Sequence, residues 1–169
     1  MSTFSVGIVK SLIMSTNLET FCQNLVFSFR GSGVIRGMEV FAREHPGALR
    51  LLHKLTDDGL ETPDIVSLTL SDSSALAFSA QKIIRTLTPT STISTPIEYQ
   101  GMLLGTVRLT FSSEDDLQMV SDEEALIVAT ATSAFLETEL KSLRRRSKPA
   151  KQLGESLSPR QLEVFQRMS

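Results

Sequence analysis

Three segments in the first half of the chain place apolar residues at the three- and four-residue steps of a helix. Residues 5–14 form a weak pattern, carried by Val6, Val9 and Ile13. The pattern of residues 16–29 is stronger, and the T-x-x-E spacing of Thr16 and Glu19 predicts a capping box at its start. A third helix is predicted for residues 75–84, after a serine-rich run of N-cap candidates.

Strand-favouring residues between turn signals predict strands over 34–43 and 64–70, and alternating apolar and polar residues predict a strand over 48–55 and an antiparallel hairpin over 92–112. Gly105 within the hairpin indicates a bulge or a close approach of another backbone. One face of the hairpin is expected to lie on a core and the other near water. In the strand predicted over residues 48–55, the residues expected on one face are Leu49, Leu51, His53 and Leu55.

The longest predicted helix begins after Ser121, with acidic residues in its first turn and basic residues near residue 145, which favours the helix dipole. One apolar stripe has the spacing of a coiled-coil seam and predicts a homodimer, although three heptads are also compatible with core packing. The seam consists of Leu126, Ala129, Ser133, Leu136, Leu140 and Leu143. A second stripe contains Ile127, Ala131 and Phe135, so the helix could contact its own sheet and a second chain at once.

Composition places the chain among ordinary globular proteins: 169 residues, 41% apolar, 21% charged, with a net charge of -2. This charge gives no electrostatic reason to bind nucleic acid or an anionic membrane through the whole surface. Cys22 is the one cysteine, and its position on an apolar helix face favours a buried side chain over a reactive thiol. With no signal-peptide pattern and no apolar run near the roughly 20 residues of a membrane span, we expect a cytoplasmic protein.

The last residues, L-S-P-R-Q-L-E-V-F-Q-R-M from Leu157 to Met168, have the pattern of a helix start. This phrase resembles the opening helix of a LuxR-type helix-turn-helix domain, in which L-T-P-R-E-x-E-V-L begins a four-helix DNA-binding module. The resemblance implies that Leu157, Ser158, Pro159 and Arg160 begin a DNA-binding domain, of which residues 157–169 hold only the first helix. An amphipathic terminal helix is the alternative, and DNA contact is expected only through the missing part.

The segment from Thr95 to Phe111, T-P-I-E-Y-Q-G-M-L-L-G-T-V-R-L-T-F, resembles the end of a GAF domain, and T-N-L-E-T-F at residues 16–21 resembles a GAF start. The resemblance implies an α+β domain over residues 1–145: a GAF/PAS-like antiparallel sheet flanked by helices, with a long C-terminal coiled-coil-type helix. Residues 146–156 would then form a basic linker. GAF domains mostly bind small molecules and transmit the bound state through their terminal helices.

Several GAF activities require residues that this sequence lacks. The free methionine sulfoxide reductases need several cysteines in one pocket, bilin attachment needs a Cys-His pair in the pocket helix, and the cyclic-nucleotide signature N-K-x(n)-F-x-x-x-D-E is absent. The acyl-homoserine-lactone pocket of LuxR proteins uses tryptophan, which this chain does not contain. Because no nucleophile is accompanied by a base, we expect no enzyme, no cofactor and no metal.

The candidate ligand-contacting residues are Phe41, His53, Phe78 and Tyr99. His53 could bind haem or a metal, but a satisfied structural histidine is favoured because no second histidine or cysteine accompanies it. The expected function is the sensory and dimerisation part of a DNA-binding transcriptional regulator that responds to a small molecule or a partner protein. The alternative is a stand-alone GAF-like binding or interaction module.

Overall fold

The computed structural model describes residues 3–29, 35–45, 48–56, 59–61, 73–88 and 90–155. The helices are α1 (Thr3–Met14), α2 (Leu18–Ser28), α3 (Ser73–Ala80), α4 (Glu114–Gln118) and α5 (Asp122–Glu155). The strands are β1 (Ile35–His45), β2 (Ala48–Thr56), β3 (Gly59–Glu61), β4 (Ile84–Thr86), β5 (Ser91–Tyr99) and β6 (Met102–Phe111). The chain divides into two compact units, Met1–Leu136 and Glu137–Ser169.

The strands form one antiparallel sheet in the order β3-β2-β1-β6-β5-β4, which confirms the expected α+β class. The predicted hairpin is β5–β6, and its two-residue turn has positive φ at both Gln100 (51°) and Gly101 (79°). Positive φ at both central residues is the geometry that matches the twist of the two strands. Among the described residues, no helix is both long and apolar enough to cross a membrane.

One face of the sheet is fully buried against helices. Its residues, which the strand register aligns, are Met38, Val40, Leu55, Ile93, Ile97, Val107 and Leu109, each at most 2% exposed. Helix α2 lies against β1 and β2, and its Phe21 stacks on Phe135 of α5 with 5.3 Å between ring centroids. Burial of apolar side chains of this size contributes about 1.5–3 kcal/mol each, so this layer is the main source of stability.

Helix α1 buries a different face from the one that its sequence pattern indicated. Phe4, Ile8 and Ser11 are buried, whereas the stripe of Val6, Val9 and Ile13 is 38%, 39% and 77% exposed. Gly7 permits the buried orientation, because a Cβ at this residue would lie 2.6 Å from Cζ of Phe29. Phe4 in turn stacks on Phe29 with 5.0 Å between ring centroids.

The N-cap of α2 is Asn17 rather than Thr16. Oδ1 of Asn17 accepts a hydrogen bond from the backbone N of Thr20 at 2.8 Å, and Oγ1 of Thr20 accepts from the backbone N of Asn17 at 3.2 Å. The predicted T-x-x-E capping box is therefore shifted by one residue. Asparagine is at least as good an N-cap as threonine, so the local preference allows this shift.

Replacing Asn17 with alanine is expected to lower the free energy of unfolding by about 1 kcal/mol, because the N–H of Thr20 loses its acceptor. Thr16→Ala is the matched control, and it is expected to have less than about half of that effect because Thr16 does not cap the helix. Urea denaturation followed by circular dichroism measures both. A larger effect of Thr16→Ala than of Asn17→Ala would indicate that Thr16 is the N-cap, as the sequence predicted.

Several elements differ from the sequence-based predictions. The third helix ends at Ala80, and the chain then forms the short edge strand β4, so the predicted continuation to residue 84 is wrong. Helix α5 continues through Glu155, so most of the predicted linker 146–156 is helical although it contains Pro149 and Gly154, the residue types that most disfavour a helix interior. The predicted strand 64–70 and the predicted helix-turn-helix start, Leu157 to Arg160, lie outside the described residues.

Candidate ligand-binding site

The second face of the sheet is covered by α3 and is rich in polar residues. The register places Glu39 of β1, Arg108 of β6 and Ser94 of β5 in one row across three adjacent strands, and Phe41 and Thr106 in the next row. Ser94 and Thr106 are fully buried, so this side of the hairpin does not face water as the alternation had indicated. We call this surface the α3 face.

Helix α3 is attached to this face by hydroxyl groups. Oγ1 of Thr106 donates to the backbone carbonyl of Ser74 at 3.2 Å. Oγ of Ser94 shares hydrogen bonds with Oγ of Ser73 at 3.1 Å and with Oγ of Ser74 at 3.4 Å. The first turn of α3 therefore sits over β5 and β6 through a small buried polar cluster.

An ion pair with low exposure lies beside this cluster. Nε and Nη2 of Arg108 donate to Oε1 of Glu39 at 2.9 and 2.8 Å, and the two side chains are only 17% and 16% exposed. The guanidinium carbon of Arg108 lies 5.2 Å from the ring centroid of Phe41, within the range of a cation–π contact. Charge-assisted bonds of this kind fix both side chains in one orientation.

The apolar part of the α3 face is a separate small cluster. Phe41, Leu49 and Leu51 are buried together, and the half-buried Phe78 of α3 packs against them. Polar and apolar groups thus lie side by side under one short helix.

Thr92 adds a buried polar atom whose hydrogen-bonding capacity is unused. The residue is 6% exposed, and its Oγ1 has no hydrogen-bond partner within the described part of the chain. On β5 it lies two residues before Ser94, hence on the same face. An unsatisfied buried hydroxyl costs about 1–3 kcal/mol, which a ligand or a water molecule placed there would offset.

The structure brings two of the four candidate ligand residues together, Phe41 and Phe78. His53 pairs with Val40, whereas Leu51 pairs with the next residue, Phe41, because a register shift interrupts β2. His53 therefore lies on the same face of the sheet as Val40, and not on the α3 face with Leu49 and Leu51. Tyr99 is half-buried at the end of β5, beside the hairpin turn.

The remaining polar residues of the α3 face were not singled out by the sequence. Glu39, Ser94 and Arg108 are far apart in the chain, and only the β1–β6–β5 order of the sheet makes them neighbours. A polar residue at alternate positions of an otherwise apolar strand was the available signal. Within the described ranges, no group of three or more His, Cys, Asp or Glu side chains is arranged to hold a metal ion.

The predicted dimer seam is divided by the fold. Ala129, Ser133 and Leu136 are at most 4% exposed within a single chain, so they are core residues and are not available to a partner. Leu126 is 49% exposed, and Leu143 is 38% exposed. Leu140, in the second unit, is half-buried. The seam pattern of α5 thus reports largely on core packing, the alternative that a short heptad repeat left open.

Solved structures with the same fold are GAF domains. The GAF domain from an Acinetobacter phosphoenolpyruvate-protein phosphotransferase superposes with a TM-score of 0.64 and 14% identity, covering 84% of this chain and 98% of that chain. The A. aeolicus nlh2 GAF domain in an inactive state superposes with a TM-score of 0.58 and 13% identity, covering 80% and 94%. The chain therefore has a GAF fold, as the hairpin segment implied. No protein-family model matches the sequence, and no curated protein matches it significantly.

The expectation that the chain is not an enzyme is overturned by this comparison. The free methionine-R-sulfoxide reductase from Neisseria meningitidis, solved with its substrate, superposes with a TM-score of 0.56 and 11% identity, covering 82% of this chain and 89% of that chain. Reductases from Thermoplasma acidophilum and Staphylococcus aureus share the fold too. A short catalytic motif is absent from the sequence, but a fold can assemble a site from residues that are distant in the chain.

Proposed function

We propose that this chain is the sensory domain of a cytoplasmic transcriptional regulator and that it binds a small molecule at the α3 face. The GAF fold occurs in sensory and in enzyme-related proteins. The observation that carries the proposal is the combination, on one face of the sheet, of the Glu39–Arg108 pair and the unpartnered hydroxyl of Thr92. Polar groups of this kind orient a ligand, while Phe41 and Phe78 supply apolar contact.

A thermal-shift screen of the purified chain against a panel of about one hundred metabolites tests the proposal, with any hit titrated by calorimetry. A saturable increase in Tm is expected, and Phe78→Ala is expected to weaken binding by at least about tenfold because Phe78 forms part of the apolar contact. Leu76→Ala is the matched control, since Leu76 lies on the same helix but is 45% exposed. If no compound binds, or if both variants weaken binding equally, the α3 face is not the site.

The same panel addresses a second candidate function. Free methionine-R-sulfoxide is included because the Neisseria meningitidis reductase of this fold was solved with its substrate. Turnover is followed with dithiothreitol as reductant, and Cys22→Ser is the control variant. Cys22 is fully buried in α2. Turnover that Cys22→Ser abolishes would favour an enzyme over a sensor.

The proposed regulator is a homodimer that uses exposed apolar residues of α1 and of the start of α5. These helices are neighbours, because Oγ of Ser5 donates to Oε2 of Glu124 at 3.2 Å. The residues concerned are Val6, Val9, Ile13, Leu126 and Ile127, which are 38–77% exposed. A second copy of the same helices is the partner that would cover them in a symmetric dimer.

Val9→Glu combined with Ile127→Glu is expected to convert the dimer into a monomer, because four charges per dimer would be buried at the interface. Sedimentation equilibrium measures the dissociation constant. Lys10→Glu is the control, since it also changes the charge of α1 but at an exposed polar position. A wild-type chain that is monomeric at about 100 μM would contradict the dimer, because that concentration corresponds to only weak association.

The DNA-binding part of the proposal rests on the sequence from Leu157 to Met168. Specific base contacts in helix-turn-helix proteins come from the recognition helix, whereas residues 157–168 resemble only the first helix of such a domain. A gel-shift titration against promoter fragments is expected to show specific binding only when the chain is extended by its native reading frame. Sequence-independent or absent binding by the extended chain would leave a sensory module without DNA recognition.

A further inference from the structure

Arg85 of the edge strand β4 binds the segment that leads into α5. Its Nη1 donates to the carbonyl of Leu117 at 3.3 Å and its Nη2 to the carbonyl of Val120 at 2.8 Å. Nε and Nη2 also donate to Oδ1 of Asp122 at 3.3 and 2.7 Å. One guanidinium therefore contacts the end of α4, the α4–α5 connection and the first residue of α5.

The same strand is joined to α3 by a connection of only three residues. Gln81 adopts a left-handed conformation with φ of 54°, and the backbone N of Lys82 donates to the carbonyl of Ala77 at 3.3 Å. This bond closes the end of α3 and places it next to β4. A displacement of α3 on the α3 face is therefore passed to β4 over a very short length of chain.

Glu124 also contributes to holding the start of α5. Its Oε1 accepts from the backbone N of Ser121 at 3.1 Å, and Oγ of Ser121 accepts from the backbone N of Glu124 at 3.1 Å. Its Oε2 accepts from Ser5 of α1. Among these contacts, those of Arg85 connect the start of α5 to β4. Strand β4 in turn is joined to α3, which covers the candidate ligand site.

We infer that Arg85 couples the position of α3 to the stability of the first turn of α5. Arg85 is a positioning residue that acts through the carbonyls of Leu117 and Val120 and through the carboxylate of Asp122. The inference rests on the proposed function for its biological meaning, since a ligand at the α3 face would be the signal. The coupling itself is a property of the folded chain, so it is measurable without a ligand.

A double-mutant cycle with amide hydrogen exchange tests the coupling in the 169-residue chain. Phe78→Ala perturbs α3, Arg85→Ala removes the coupling residue, and exchange is read by mass spectrometry at the amides of residues 125–129. These amides are chosen because the helical hydrogen bonds of α5 begin there, with Ala125 donating to Ser121 at 3.0 Å. Peptides from residues 35–45 of β1 report any general loss of stability.

In the chain that retains Arg85, Phe78→Ala is expected to raise the exchange rate at residues 125–129 by about threefold or more, without a matching rise in β1. In the Arg85→Ala background, the exchange rate at these residues is expected to be raised already. Adding Phe78→Ala should then raise this rate by less than a further factor of about 1.5. Lys82→Ala is the matched control, because it removes an exposed positive charge beside β4 and should leave the coupling intact.

Equal effects of Phe78→Ala in both backgrounds, or no effect on residues 125–129 in either, would overturn the inference. If Arg85→Ala unfolds the chain, Asp122→Asn replaces it, since this substitution weakens the ion pair and keeps both carbonyl contacts; it should reduce the coupling only in part. The exchange experiment is performed without a ligand. Additive effects would therefore refute the coupling, and ligand binding at the α3 face would still be decided by the thermal-shift screen.

Discussion

Gly105→Ala is expected to destabilise the domain by more than about 4 kcal/mol and to prevent folding of a marginally stable preparation. A Cβ at this residue would lie 1.9 Å from the carbonyl oxygen of Phe41 and 2.9 Å from its carbonyl carbon. Backbone atoms in the middle of the sheet cannot yield, because β1 is hydrogen-bonded to β2 on one side and to β6 on the other. Solubility on expression and urea denaturation measure the effect.

Gly101→Ala is the matched control in the same hairpin. Gly101 has a φ of 79°, but nothing lies within 4 Å of the position that a Cβ would occupy, so alanine there meets a conformational penalty and no clash. That penalty is expected to be about 1–2 kcal/mol. Similar small costs at both glycines would mean that β1 and β6 are farther apart than the structure places them.

Arg108→Leu is expected to lower the free energy of unfolding by about 3–5 kcal/mol. The substitution leaves the Glu39 carboxylate, which is 16% exposed, without the two hydrogen bonds that it accepts from Arg108. It also removes the guanidinium from the ring of Phe41. Chemical denaturation is the appropriate measurement.

The double variant Glu39→Leu/Arg108→Leu is expected to be more stable than Arg108→Leu alone, because no isolated charge then remains in a poorly hydrated position. The pair of Glu137 and Lys141, at 3.2 Å, provides a control, because its lysine is 58% exposed although its glutamate, like Glu39, is 16% exposed. Lys141→Ala should cost less than about 0.5 kcal/mol. If the double variant is no more stable than Arg108→Leu, the isolated charge of Glu39 is not the cause of the lost stability.

The local elements of this fold follow from the sequence because local interactions decide them. The antiparallel hairpin over residues 92–112 and the acidic start of α5 each depend on residues that are close together in the chain, and the structure confirms both. The requirement for glycine at residue 105 was also visible. Its cause, the carbonyl of Phe41, was not, because that atom belongs to a strand more than sixty residues earlier.

Which face an element buries was decided by tertiary packing. In α1 the stripe of Val6, Val9 and Ile13 is as apolar as the buried one, and the close fit of Gly7 against Phe29 selects the other face. A single register shift in β2 separates His53 from Leu51, because one extra residue reverses the direction of every side chain that follows. Periodicity alone contains neither fact.

The candidate site depended on tertiary structure for the same reason. By itself the sequence determined an α+β chain with a hairpin and a long terminal helix, since these need only short-range pattern, and its resemblance to GAF domains implied the fold. The pairing of Glu39 with Arg108, separated by 69 residues, and the packing of Phe78 on Phe41 exist only because β1 lies between β2 and β6 under α3. Strand order is set by contacts distant in sequence, and it is this order that places charge, hydroxyl and aromatic ring within reach of one another.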